Sequence, residues 1–90
     1  MKLKQDISIG INLKRLRKNQ NLSQEAVAGK MQLYGCSISR DIYAQMETGK
    51  YSIRISELLV LKEIYDCEFK DFFLNLPTPE KIMQRYTDKI

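Results

Sequence analysis

The stretch Ser39-Arg40-Asp41-Ile42-Tyr43-Ala44-Gln45-Met46-Glu47-Thr48-Gly49-Lys50 constrains this 90-residue chain more than any other. Wound as a helix at about 100° per residue, it splits into two faces. Ile42, Tyr43 and Met46 fall on one side, which is apolar and calls for a core. Arg40, Asp41, Ala44 and Gln45 fall on the other. Ser39 is a good N-cap and Gly49 a good stop, so the segment reads as a short helix with sharp ends. Its polar face carries a guanidinium, a carboxylate, a methyl and a primary amide. Such groups read guanine, cytosine, thymine and adenine edges in a major groove. An ordinary amphipathic surface helix shows the same split, so the rest of the chain decides what the pattern means.

The chain before and after is helical in pattern. Ser8 is placed to cap a first helix ending near Asn19, with Ile9, Leu13 and Leu16 on one stripe and Lys14, Arg15 and Lys18 off it. Asn21 suits a left-handed residue beyond that end. Ser23 caps a second helix at about residues 24–33, with Leu22 where a hydrophobic staple sits. Val27, Ala28 and Met31 face inward. The connector from Gln32 to Ile38 exceeds the tight turn of about 3–4 residues; Leu33 or Ile38 is expected to plug the core and Gly35 to turn the chain. Residues 50–54 read as a loop. A fourth helix, from about Ile55 to Tyr65, is apolar on most sides and so reads as central. A fifth, Glu68 to Leu74, brings Phe69, Phe72 and Phe73 as core aromatics. Thr78-Pro79 opens a last helix whose stripe is Ile82, Met83, Tyr86 and Ile90. Strand alternation and internal repeats are absent from the pattern, and the fold class is all-α.

Charge and cysteine content narrow the function. Residues 1–30 hold seven Lys/Arg against two acids, whereas residues 55–90 hold five against seven. A basic half beside an acidic half suggests one face offered to a polyanion, although scatter alone gives small differences of this kind. There is no His, and Cys36 and Cys67 form no CxxC, so the usual zinc spacings are missing and no metal or cofactor is expected. A disulfide between the two stays open, but a cytoplasmic protein with reduced thiols is the expectation. A membrane span needs roughly 20 apolar residues, and no run approaches that. Cys36 beside Gly35 is the one candidate nucleophile, and with no His to activate it the chain is not expected to be an enzyme.

With the helices laid out, the chain resembles the lambda-repressor-like helix-turn-helix family of the xenobiotic-response-element (XRE) type. The resemblance rests on Ile9-Gly10, Leu13, Leu16-Arg17, Leu22-Ser23-Gln24-Glu25, Val27-Ala28, Ser39-Arg40 through Met46-Glu47-Thr48-Gly49-Lys50, then Leu58, Leu61, Ile64, Phe69 and Phe72. It implies a five-helix DNA-binding domain over residues 1–76 and a C-terminal helix over residues 77–90 that packs back or dimerises. Residues of about 40–48 are then the recognition helix. Arg40, Asp41, Ala44 and Gln45 match base-contacting positions, with Ser39 at the start of that helix. Ser23 and Gln24 match the helix-2 N-terminus that meets a phosphate. Lys50 and Tyr51 match backbone-contacting positions, and Arg17 and Glu47 match a structural ion pair. The chain departs from the family pattern in its longer connector, in the acidic Asp41, and in Arg54 where a better N-cap is usual.

The resemblance points to a sequence-specific transcriptional regulator, a repressor, binding double-stranded DNA as a homodimer; the stripe Ile82, Met83, Tyr86 and Ile90 either folds back on the same domain or pairs with its twin in a second chain. The alternative is an antitoxin or another protein-interaction module on the same scaffold, for which the small size and lack of a ligand-sensing domain argue.

Overall fold

The computed structural model describes residues 6–87, with side chains through Arg85. Every regular element among these residues is helical: α1 (Gly10–Asn19), α2 (Gln24–Leu33), α3 (Arg40–Glu47), α4 (Ile55–Tyr65), a 3-10 helix η1 (Phe69–Phe73) and α5 (Pro79–Thr87). Ile90 and the Tyr86 side chain lie outside what is described.

Local chemistry sets most of the boundaries. Ser23 Oγ accepts the Ala26 N–H at 3.0 Å and Ser39 Oγ accepts the Ile42 N–H at 3.2 Å, so both serines cap their helices. Asn21 and Asp66 sit at positive φ just past α1 and α4, and Gly49 does the same past α3. Gly35 turns the connector at φ 89. At α1 the cap falls one residue later than expected: Ile9 is the N-cap, while Ser8 Oγ takes the Gly10 N–H at 3.0 Å. Arg54 at the α4 N-cap has no side-chain acceptor. Glu57 compensates by accepting the Arg54 backbone N–H at 2.8 Å. Thr78 and Pro79 open α5 as the sequence predicts, Thr78 Oγ1 accepting from the Lys81 N–H.

α3 packs against α1 and α2, α2 also against α4, and α1 against η1 and α4. The core is Leu13, Val27, Met31, Ile38, Tyr43, Met46, Ile53, Leu61, Tyr65 and Phe72, all essentially sealed from water. Burying each such side chain contributes about 1.5–3 kcal/mol. Gly10 is the tightest point: a Cβ there would stand 2.1 Å from the Glu47 carbonyl oxygen, so only glycine lets α1 meet the end of α3 this closely. Asn12 pins η1 to α1 by donating Nδ2–H bonds to the Phe72 and Leu74 carbonyls.

Of the two residues expected to plug the core, Ile38 does so and Leu33 is 87% exposed. Other sequence expectations need correcting. The fifth element is a 3-10 helix, in which Phe69 and Phe72 share a face and Phe73 is turned away from them. Phe72 is the ring that is fully buried; Phe69 and Phe73 stay exposed, Phe69 lying under Lys62 Nζ at 5.3 Å. Leu59 on α4 also faces water. Ile53, in what reads as a loop, is a fully buried core residue. Among the described residues, none of the substantial packing between elements involves α5; Ile82 is half-buried and Met83 exposed.

Candidate nucleic-acid interface

Tyr43 and Met46 anchor α3 in the core and Ile42 packs beside them, which turns the opposite face outward. Arg40, Asp41 and Gln45 are exposed there, and Ala44 is half-buried. Among the described residues the side chains of Arg40, Asp41 and Gln45 make no hydrogen bond or ion pair, so their recognition groups are free; Arg40 and Asp41 do not pair with each other. Lys50 is exposed just beyond, its N–H held by the Gln45 carbonyl at 2.9 Å. At the start of α2 and of α3 the serine caps take only one N–H each. The remaining first-turn amides, of Gln24 and Glu25 and of Arg40 and Asp41, have no intrahelical acceptor and present partial positive charge.

The end of α3 is tied down by a buried polar hub. The Glu47 carboxylate, 4% exposed, accepts from Arg17 Nε at 2.7 Å and Arg17 Nη2 at 3.3 Å. Gln24 Nε2 donates to its Oε1 at 3.1 Å. Arg17 Nη1 also donates to the Leu22 carbonyl at 2.9 Å. Burial pushes the Glu47 carboxyl up, but the bond from Arg17, the nearby Tyr43 hydroxyl and the bond from Gln24 outweigh it and hold the group below the ordinary carboxylate range. The same bond to Glu47, outweighing burial, holds the Arg17 guanidinium above its usual value. The expected pair Arg17 and Glu47 is therefore present, with more partners than the pair alone.

The family model of the helix-turn-helix (HTH_3) matches residues 13–72, two thirds of the chain. The chain belongs to the helix-turn-helix family. No curated protein and no solved structure matches it. The family is that of DNA-binding, XRE-type, lambda-repressor-like regulators, and the matched span runs from the α1 core stripe through α2 and α3 to Phe72.

Within this helix-turn-helix domain, the expected DNA-binding residues divide into two groups. Arg40, Asp41, Ala44, Gln45, Lys50 and the caps Ser23 and Ser39 surround the exposed side and leading end of α3 and the leading end of α2. Gln24 and Tyr51 are half-buried and already engaged: Gln24 on Glu47, and Tyr51 donating its hydroxyl proton to Glu57 Oε2 at 2.9 Å. The Tyr51 hydroxyl proton is thereby committed, while the Gln24 amide keeps a second N–H. The basic half also shrinks. Arg17 is paired, and Arg15 Nη2 donates to the Asp71 carbonyl at 2.8 Å, so Lys14, Lys18 and Lys30 are the exposed cations among the described residues up to 30.

Sequence reasoning missed the structural hydrogen bonds of Glu57, Asn12 and Tyr65. For Asn12 a faint signal exists, since it adjoins Leu13 on the inward stripe. Cys36 and Cys67 are free thiols, half-buried, with burial pushing both up. No helix among the described residues is long and apolar enough to cross a membrane.

Proposed function

We propose that this helix-turn-helix protein is a sequence-specific repressor that lays α3 in the major groove of double-stranded DNA. The observation that carries this reading is the exposed ridge Arg40, Asp41 and Gln45, left without internal partners on a helix whose other side is locked in the core. Arg40 reads guanine, Gln45 adenine, the Ala44 methyl a thymine methyl, and Asp41 the amino group of cytosine. Lys50 and the first-turn amides of α2, capped by Ser23, take backbone phosphates, as do those of α3 behind Ser39. Gln24 and Tyr51 act one step back, holding the helix-2 start and the loop after α3 in place.

The protein acts as a homodimer in the cytoplasm, with half-sites about one helical turn apart. The apolar stripe Ile82, Met83, Tyr86 and Ile90 of the sequence is the pairing surface in this reading. Deleting residues 77–90 is expected to halve the mass in solution and to weaken operator binding; unchanged mass and affinity would exclude this dimer. For the groove assignment, Arg40→Ala is expected to cost about 1–3 kcal/mol at the preferred site and to relax discrimination at one base pair. A variant that discriminates as the parent does would place the reading helix elsewhere.

A further inference from the structure

Glu47 closes α3, and Tyr43 stands one turn earlier on the same helix. Tyr43 and Tyr65 are both sealed in the core, and their hydroxyls are hydrogen-bonded to each other across the α3–α4 boundary. One turn further along α3, the Glu47 carboxylate accepts from Arg17 of α1 and Gln24 of α2. Burial raises both phenols well above their ordinary value, so the two hydroxyls keep their protons throughout the physiological range.

We propose that Tyr43 and Tyr65 are positioning residues for base readout: the hydrogen bond between their hydroxyls fixes where α3, and with it Gln45, stands on α4. The proposal rests on the reading of α3 as the recognition helix. Close packing already confines α3; the hydroxyl bond adds a directional restraint on its placement. Base-edge hydrogen bonds tolerate only a few tenths of an ångström around about 2.9 Å, so small displacement acts on readout before it acts on phosphate binding. Phenylalanine keeps the ring and removes only the hydroxyl.

The test compares the full-length parent with Tyr65→Phe, Tyr43→Phe and, as a control, Ile53→Val, which trims a core methylene and leaves the hydroxyl pair intact. Each is measured for thermal midpoint and for affinity to the preferred duplex and to a scrambled one. The ratio of the two affinities is expected to fall about three- to tenfold in Tyr65→Phe and in Tyr43→Phe alike, since each removes the same hydrogen bond. Ile53→Val is expected to lower the midpoint and leave the ratio unchanged. A ratio unchanged in both phenylalanine variants, or one that falls equally in Ile53→Val, would show that the hydroxyls serve stability alone and overturn the proposal. If either phenylalanine variant does not fold, the other decides. A parent with no preferred duplex would overturn the recognition-helix reading itself, an outcome distinct from a parent that discriminates and variants that match it.

Discussion

Replacing Gly10 with alanine should destabilise this protein, although the same change in a helix ordinarily stabilises. Alanine favours a helical position over glycine by at most about 1 kcal/mol. Against that, the new Cβ would lie 2.1 Å from the Glu47 carbonyl oxygen and 2.6 Å from its carbon. Ordinary carbon–oxygen contact is about 3.3 Å, so α1 must retreat by roughly 1 Å. The obstacle is backbone and cannot rotate aside. The retreat also pulls Arg17, on the same helix, away from Glu47, to which it is bonded at 2.7 Å. Overpacking against rigid neighbours costs about 1–3 kcal/mol, and loosening the buried pair adds to it, for a net loss of about 2–4 kcal/mol. For a domain of this size that lowers the melting temperature by about 10–25 °C. Thermal unfolding followed by circular dichroism, with urea denaturation at a fixed temperature, measures it. A melting temperature at or above that of the parent would refute the close contact of α1 with the end of α3.

Two further outcomes follow from the packing and the hub. Phe72→Ala should cost about 3–5 kcal/mol, whereas Phe69→Ala and Phe73→Ala should cost well under half of that in the same urea series, since both rings are substantially exposed. Glu47 sits below the ordinary carboxylate range when folded, so its bonds contribute stability above the unfolded value of about 4.3 and lose it as the pH falls through the folded value. The parent should therefore lose more stability than Glu47→Gln between about pH 5 and pH 3; parallel curves would remove Glu47 from the acid response.

What the amino-acid order makes legible here is what is local. Ser23, Ser39, Asn21 and Gly49 act within a few residues of themselves, and each does what its chemistry predicts. The two faces of α3 are legible for the same reason, since one side is apolar and the other is not. Contacts between distant segments are not written in any one of them. Ile53 looks like loop until α4 closes over it. Phe69 and Phe73 look like core until the fold leaves both rings at the surface. Arg15 looks like part of a basic face until the Asp71 carbonyl takes it inward. Tyr43 and Tyr65 look like two apolar fillers because only the fold brings their hydroxyls together. At the interface, composition identifies the ridge Arg40, Asp41 and Gln45, while the internal engagement of Gln24 and Tyr51 needs coordinates.

The most direct test of α3 as the reading element is selection of bound sequences from a pool of random duplex DNA, run in parallel with the parent and with a variant carrying both Arg40→Ala and Gln45→Ala. The parent should enrich one two-fold symmetric motif with half-sites about one helical turn apart, and the variant, still folded, should lose the guanine and adenine positions of that motif. No enriched motif from the parent, or the same motif from both proteins, would contradict the account.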